Sequence, residues 1–144
     1  MVRITDSITI NQPLEKVFAF AANMENLPKW QSEVVKSKVI TPGPTRVGTK
    51  FTEEVKIGKK RLPAMCEVVE FAPNERVGFV AGSSVIEYQG LLSTEKVGTS
   101  STAVHLNGTA KLKGFYKLLT PIFSAEAKKG ARKELEQLKN VLEQ

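Results

Sequence analysis

Apolar and polar side chains alternate along the first ten residues, and this alternation predicts a β-strand over Val2–Ile10. One face of the strand carries Ile4, Ile8 and Ile10, while the other carries hydroxyl side chains. The two faces therefore differ in polarity, as they do in a half-buried strand.

A short helix is predicted directly after this strand. Asn11 or Gln12 would cap it and Pro13 would open it, because proline suits the first helical position. Its buried stripe would consist of Leu14, Val17, Phe18 and Ala21, which follow one another at helical spacing. The spacing breaks over residues 23–31, where we expect a second, short helical turn that carries Trp30.

Trp30 is the only tryptophan of the chain, and it lies between the polar residues Lys29 and Gln31. A tryptophan side chain has a large apolar surface that needs cover. Two interpretations follow: Trp30 packs in an ordinary core, or it borders a cavity that a ligand fills.

The middle of the chain contains short stretches with the pattern of strands, separated by turn residues. The predicted strands are residues 35–40, 51–57, 64–71, 76–81, 85–94 and 100–112. Turns are predicted at residues 41–44, 58–60, 73–74 and 82–84, and at Gly98. Because no helix separates these strands, neighbours should pair antiparallel through hairpins.

Thr120 followed by Pro121 predicts the start of a long helix, with Thr120 as its capping residue. Its apolar face would consist of Phe123, Ala127, Ala131, Leu135, Leu138 and Leu142. A helix over residues 121–143 is roughly 35 Å long, and only a sheet could cover such a stripe. We therefore expect an α+β fold: a curved antiparallel sheet of about seven strands wraps around one long C-terminal helix, with two short helices after strand 1.

Composition narrows the class of protein. The chain has 144 residues, of which 41% are hydrophobic and 25% charged, as in a globular domain. No apolar run is long enough for a membrane span, and the N-terminus lacks the apolar core of a signal peptide. Cys66 is the only cysteine and cannot form an internal disulfide, so we expect a cytoplasmic protein.

The formal net charge of +6 raises the question of an anionic partner. The densest basic runs, residues 59–61 and 128–133, contain no aromatic side chain for base stacking. This pattern favours a solvated surface and speaks against nucleic acid. Transient contact with an anionic lipid surface stays open.

Five stretches, taken in order, carry a family resemblance: ITINQPLEKVFAFAANMENLPKW, VGTKF, VVEFAPNERVGF, VGTSST and LEQLKNVLE. They resemble the START-like (SRPBCC) superfamily, which includes polyketide cyclase/dehydrase relatives, the birch-pollen allergen and lipid-transfer domains. The resemblance implies one helix-grip domain over residues 1–144, with a cavity for an apolar or amphipathic small molecule between the sheet and the final helix. Trp30 would then lie near the cavity mouth. Activity is implied only weakly, because members range from enzymes to carriers.

The usual catalytic motifs are absent from the sequence. A single histidine and a single cysteine exclude the common His/Cys metal sites, and neither GxGxxG, a P-loop nor GxSxG occurs. We therefore expect neither a metal nor a cofactor. A Ser-His-Asp triad could use only His105, and no nucleophile is placed beside it by the sequence.

Glu53 and Tyr88 share strand faces with apolar residues. Glu53 alternates with Phe51 and Val55, so burial would raise the pKa of its carboxyl toward the range of a general acid or base. The alternative is a strand-edge glutamate that reaches solvent, and this is the outcome that we expect. Tyr88 lies on the face of Leu92, and its hydroxyl would seek an interior partner.

Family resemblance and hydrophobicity predict opposite strand faces for His105. Matching VGTSST to the family turns Ser101, Ala103, His105 and Asn107 toward the cavity. Hydrophobicity instead turns Val104 and Leu106 inward. A lone histidine is more often structural than catalytic. Gly130, in the middle of the final helix, either allows close approach to the sheet or leaves room for a ligand.

The sequence thus predicts a protein that binds or transports a hydrophobic or amphipathic small molecule, lipid- or polyketide-like, as a monomer or a homodimer. The predicted ligand-binding residues are Trp30, Phe51, Glu53, Phe79, Tyr88, His105, Phe123 and Ala127. One alternative is a polyketide cyclase/dehydrase-type enzyme with Glu53, Tyr88 or His105 as weak catalytic candidates. A second alternative is a ligand-sensing regulatory or stress-response protein.

Overall fold

The computed structural model describes residues 1–57 and 59–144, except for the side chain of Ile57. The strands are β1 Val2–Ile10, β2 Val34–Val39, β3 Lys50–Ile57, β4 Lys60–Ala72, β5 Arg76–Gly82, β6 Ile86–Lys96 and β7 Thr102–Leu112. The α-helices are α1 Leu14–Ala21, α2 Leu27–Trp30 and α3 Thr120–Glu143, and 3₁₀-helices occupy Met24–Asn26 and Gly114–Leu119. The turn predicted at Gly58 lies outside the described residues.

All seven strands form one antiparallel sheet in the order β1-β7-β6-β5-β4-β3-β2. Strands β2 to β7 follow one another as neighbours, and β1 pairs with β7 from Val2 opposite Ala110 to Ile10 opposite Thr102. Irregular register in β2 between Val34 and Lys36, and in β4 after Val68, marks β-bulges, which bend a strand. The curved sheet and the long final helix confirm the predicted α+β fold.

The C-terminal half of α3 packs tightly on the sheet. Leu135 and Leu138 are fully buried, and Ala131 and Leu142 are nearly so. They join one core with residues from α1, α2 and the inner face of the sheet, including Val17, Trp30 and Val68. Over the second half of α3, the apolar stripe read from the sequence is therefore the face that contacts the sheet.

Strand β1 is an edge of the sheet, and α3 covers its unpaired side. Arg132 forms an ion pair with Asp6 at 2.6 Å and also donates to the carbonyl of Ser7. Lys139 Nζ donates to the carbonyl of Thr9 at 2.8 Å. Free carbonyls on an edge strand invite pairing with another chain, and these contacts satisfy them.

The predicted helix caps are wrong. Neither Asn11 nor Gln12 caps α1; Gln12 Nε2 instead donates to the Leu142 carbonyl at 2.8 Å, which ties the end of β1 to the end of α3. Thr120 is the first residue of α3 and not its cap, because the 3₁₀-helix Gly114–Leu119 leads directly into α3. The Thr120 hydroxyl accordingly donates to the Lys117 carbonyl at 2.7 Å.

Candidate functional site

Small residues lie on the inner face of the sheet in its middle strands, β4 to β7. In the register, Cys66 on β4 lies opposite Ala81 on β5, Ala81 opposite Tyr88 on β6, and Tyr88 opposite Ala110 on β7. The next pair on the inner face, toward the beginning of β7, is Gly90 with Gly108. Apart from Tyr88, the side chains on this part of the inner face are small and project little from the sheet.

The facing part of α3 is also built from small residues, namely Ala127, Gly130 and Ala131. Phe123 and Ala127 lie on the helical face of the buried Leu135, yet both are only half-buried. On the sheet side, the inward-facing Phe79 and Tyr88 also keep accessible surface. Because these side chains keep accessible surface, we take the region between the first half of α3 and the sheet as the candidate cavity, and we call the region bordered by Phe79, Ala81, Tyr88, Phe123 and Ala127 the interior cleft.

Glu53 is buried on the sheet wall of this region, with 7% of its surface exposed. The Cys66 thiol donates to Glu53 Oε1 at 3.1 Å, and burial raises the pKa of the Glu53 carboxyl. The pKa of the Cys66 thiol is also raised, by burial and then by the Glu53 charge, so the thiol is the proton donor of the pair. The expectation that Glu53 reaches solvent is wrong, because β3 is an inner strand flanked by β2 and β4.

Ser37 adds a second polar group beside Glu53. The two residues face each other across β2 and β3. The Ser37 hydroxyl is buried and has no hydrogen-bond partner among the described residues. A polar atom in this condition is costly, and it marks the Glu53 surroundings as a place with unused hydrogen-bonding capacity.

Glu134 brings a third polar group, from α3. Burial, a hydrogen bond to Glu33 and the charges of Glu33 and Glu53 raise the pKa of Glu134 to about 9. Glu134 is therefore a neutral acid at pH 7 and shares a hydrogen bond with the Glu33 side chain. Glu33 follows α2, and its Oε1 lies 3.4 Å from the position that a Cβ on Gly130 would take. Glu33 thus lies beside Gly130 at a distance that an alanine side chain would also allow.

Tyr88 lies across the inner face of the sheet, over two glycines. Its hydroxyl oxygen is 2.6 Å from the position of a Cβ on Gly108, and its Cε1 is 2.8 Å from that on Gly90. Burial and the charges of Glu134 and Glu53 raise the pKa of Tyr88 to about 12. The phenol therefore stays protonated at neutral pH, in the same electrostatic surroundings as the two carboxyl groups.

Aromatic rings continue the sheet wall next to Tyr88. The ring centres of Tyr88 and Phe79 are 5.9 Å apart, and those of Phe79 and Phe51 are 5.8 Å apart. Phe51 is fully buried and Trp30 has only 3% of its surface exposed, with its indole N–H unpartnered in the described part of the chain. Direct ligand contact by Phe51 and Trp30 stays a prediction.

His105 does not face the cleft. Its Nδ1 lies 2.8 Å from the Ser7 hydroxyl on the outer face of the sheet, where the two residues sit opposite each other on β7 and β1. Val104 is fully buried on the inner face, as hydrophobicity predicted. The family-based assignment of His105 to the cavity is therefore wrong, because a shift by one residue reverses the face.

Sequence reasoning missed Glu134, Glu33 and Ser37 and considered Cys66 only as an unpaired thiol. Glu134 had a usable signal: it lies four residues from Gly130 and from Leu138, hence beside the apolar stripe and not opposite it. Ser37 and Glu33 had none, because their role depends on which residues the fold brings against them.

Two further observations bound the site. Among the described residues, no group of three or more His, Cys, Asp or Glu side chains is arranged to hold a metal ion. A depression of about 380 Å³ lies on the outer face of the sheet, bordered by Arg3, Val69 and Leu91 among others, but most of its side chains are exposed. The convergence of carboxyl groups whose pKa values are raised favours the interior cleft as the candidate site.

Comparison with protein families identifies the class. Residues 1–143 match the family described as polyketide cyclase / dehydrase and lipid transport. The chain belongs to this family. No helix of the described residues is long and apolar enough to span a membrane.

Solved structures share the fold at low sequence identity. A START superfamily protein from Mycobacterium smegmatis superposes with a TM-score of 0.82 at 14% identity, covering 98% of this chain and 97% of that one. A protein from Thermus thermophilus gives 0.80 at 20% identity, covering 97% and 96%. The Zhui aromatase/cyclase from a Streptomyces species gives 0.80 at 10% identity, covering 98% and 93%. No curated protein matches the sequence.

Proposed function

We propose that this member of the polyketide cyclase/dehydrase and lipid-transport family binds an amphipathic small molecule, lipid- or polyketide-like, in the interior cleft. The apolar part of the ligand lies between Phe79 on the sheet and Phe123 and Ala127 on α3. Its polar part points toward Glu53, Glu134 and Tyr88. The observation that carries the proposal is the accessible surface of these inward-facing side chains beside acids whose pKa values are raised.

The protonation states indicate which polar groups the ligand carries. A neutral carboxyl costs far less to bury beside an apolar ligand than a carboxylate does. Tyr88 is protonated at neutral pH and can donate a hydrogen bond to the ligand, as its pKa of about 12 implies. The one acid proton of Glu134 is already used in its hydrogen bond with Glu33, so its remaining oxygen can accept a hydrogen bond from a ligand hydroxyl.

A polyketide cyclase/dehydrase-type enzyme is the second candidate, and the same acids favour it. Acid–base catalysis needs groups whose pKa lies near the working pH, positioned next to the substrate. Burial moves Glu53 and Glu134 in that direction, and the two carboxyls lie close enough for their charges to interact. A ligand-sensing regulatory protein is a third candidate, supported by exposed apolar residues outside the cleft such as Phe115 and Leu118.

Binding in the cleft is tested with the uncharged fluorescent dye N-phenyl-1-naphthylamine. We expect a saturable rise in dye fluorescence and a change in Trp30 emission. Ala127→Phe fills the cleft and should weaken binding at least tenfold, whereas Ala125→Phe, on the exposed side of the same helix, should leave it unchanged. Native mass spectrometry would identify a co-purified ligand. Equal binding by both variants would place the dye elsewhere and contradict the proposal.

Catalysis is separated from binding by Glu53→Gln and Glu134→Gln. Both changes keep the shape and remove the exchangeable acid proton. A binding protein should retain dye affinity within about threefold and show no turnover of a poly-β-ketone thioester before or after the change. Turnover that either variant abolishes, with affinity retained, would establish the enzyme instead.

A further inference from the structure

An exposed apolar strip runs along the segment that joins the sheet to α3. Phe115, Leu118 and Ile122 have 79%, 74% and 66% of their surface exposed, and Leu119 is also exposed. Single exposed apolar residues are ordinary on any protein surface. These four belong to one short segment. Phe115 and Leu118 are three residues apart in the 3₁₀-helix Gly114–Leu119 and share one of its sides, and Leu119 and Ile122 are exposed where this helix passes into α3. We call Phe115, Leu118, Leu119 and Ile122 the apolar ridge.

The charged residues within the ridge segment are all lysines, and the first acidic residue after it is the exposed Glu126 on α3. From Lys111 to Ala125 the chain contains three lysines and no acidic residue. Lys111 and Lys117 are exposed, and Lys113 is the only one of the three with an acidic partner among the described residues, Glu87 at 3.5 Å. Further along α3, Lys128 and Lys129 are exposed as well. An apolar side with lysines beside it is the pattern of segments that lie in the interface of an anionic membrane.

We propose that the apolar ridge docks the protein on the surface of an anionic lipid membrane. The ridge side chains enter the boundary between headgroups and acyl chains, and Lys111 and Lys117 contact the anionic headgroups. Each such lysine contributes favourably near the surface, and the apolar side chains supply the second attraction that stable docking needs. This inference does not depend on what the cleft binds.

The small area of the apolar ridge favours a lipid surface over a protein as its binding partner. A stable protein–protein interface buries about 800 Å² on each partner and roughly 20–30 residues a side, which far exceeds four side chains on one helical segment. Shallow insertion into a membrane interface needs only such a segment and a favourable charge. The ridge also ends next to Phe123, which borders the interior cleft, so docking would bring the cleft close to the bilayer.

The test is flotation of the purified protein with vesicles of 30% phosphatidylserine and 70% phosphatidylcholine at 100 mM NaCl. We expect binding to these vesicles, at least tenfold weaker binding to pure phosphatidylcholine, and release at 500 mM NaCl because salt screens the lysines. Leu118→Ser with Ile122→Ser should reduce binding at least tenfold, and Lys111→Gln with Lys117→Gln should reduce it about tenfold.

The matched control is Ile40→Ser with Met65→Ser, since these side chains are 55% and 60% exposed away from the ridge. It should leave flotation unchanged, and circular dichroism checks that each variant is folded. Absence of binding, or equal binding by the ridge variant, overturns the proposal. Light scattering after gel filtration tests whether the ridge instead binds a second copy of the chain. A native protein that is a dimer and does not float with vesicles, together with a ridge variant that is a monomer, would assign the ridge to the dimer interface and overturn lipid docking.

Discussion

Tyr88 occupies space that two glycines leave free on the inner face of the sheet. Its ring covers Gly90 and Gly108, whose missing side chains would otherwise meet it. The same arrangement brings the hydroxyl toward β7 and into the surroundings of Glu53 and Glu134. A larger residue at Gly90, introduced to fill the cleft, would therefore displace Tyr88 before it blocked a ligand.

Gly108→Ala should lower the free energy of unfolding by about 1–3 kcal/mol, because the new methyl group would lie 2.6 Å from the Tyr88 hydroxyl oxygen. Urea unfolding measures the loss. Tyr88→Leu in the same chain should recover part of it, since the two changes relieve one contact. Gly82→Ala is the control, because nothing lies within 4 Å of its Cβ position. A loss below about 0.5 kcal/mol for Gly108→Ala would mean that Tyr88 moves freely.

For single residues, the alternation of apolar and polar side chains predicted which face of the sheet a side chain occupies, but not how deeply it is buried. It placed Glu53 and Tyr88 on the inner face, which is correct, yet the depth of Glu53 follows from β2 pairing beyond it and Cys66 contacting it. The prediction for His105 was wrong because shifting the match between this sequence and the family by one residue moves the side chain to the other face of the sheet. Glu134 could be found only by asking which polar residues flank an apolar helical stripe.

Helix α3 behaves as two halves. The second half is packed on the sheet through the fully buried Leu135 and Leu138, while the first half carries the exposed Ile122 and the half-buried Phe123. Sequence periodicity alone makes these halves look alike. The difference fits the small residues Ala81, Gly90, Gly108 and Ala110 on the inner face of the sheet, which offer few apolar contacts to a helix.

Leu135→Ala should therefore cost about 2–5 kcal/mol of unfolding free energy, since it removes a fully buried side chain. Ile122→Ala on the same helix should cost less than about 0.5 kcal/mol, because that side chain is 66% exposed. Chemical unfolding of the two variants gives both values. Similar losses would show that the first half of α3 is packed as tightly as the second.

Gly130→Ala tests the middle of the same helix. A methyl group there would lie 3.4 Å from Glu33 Oε1, which is a normal contact, and alanine favours a helix by about 1 kcal/mol over glycine. We expect a gain of about 0.5–1 kcal/mol in thermal or urea unfolding. A loss would mean that Glu33 has to approach α3 more closely than an alanine allows.

The pattern of apolar and polar residues predicted where the helices and strands lie more accurately than where they begin and end. Each predicted strand overlaps its observed counterpart, because half-buried strands alternate residue by residue. The 3₁₀-helix Gly114–Leu119 was missed because Thr120 and Pro121 resembled a helix start. Its apolar residues cover no core, and so no burial argument pointed to it.

For the whole molecule, ionisable groups divide into two sets that respond to pH in opposite directions. Arg132 holds the pKa of Asp6 below its ordinary value of 3.8, so this ion pair stabilises the fold above that pH and is lost as acid protonates Asp6. Burial raises the pKa of Glu53 and Glu134, so the folded protein holds protons that the unfolded chain has released. The second set makes the fold less stable as pH rises.

The unfolding free energy should consequently be highest in mildly acidic solution and decline toward alkaline pH. The unfolded Glu134 titrates near 4.5 and the folded one near 9, so the decline belongs to the window between these values and is complete above the upper one. Glu134→Gln keeps a hydrogen-bond donor for Glu33 and removes the titration. The variant should be roughly 1–3 kcal/mol more stable than the native protein at pH 8 and within about 0.5 kcal/mol of it near pH 4.5. Urea unfolding across this range measures both curves, with the exposed Glu136→Gln as the control on the same helix. Parallel curves for the native protein and Glu134→Gln would show that Glu134 ionises freely, and would remove it from the set of neutral acids beside the cleft.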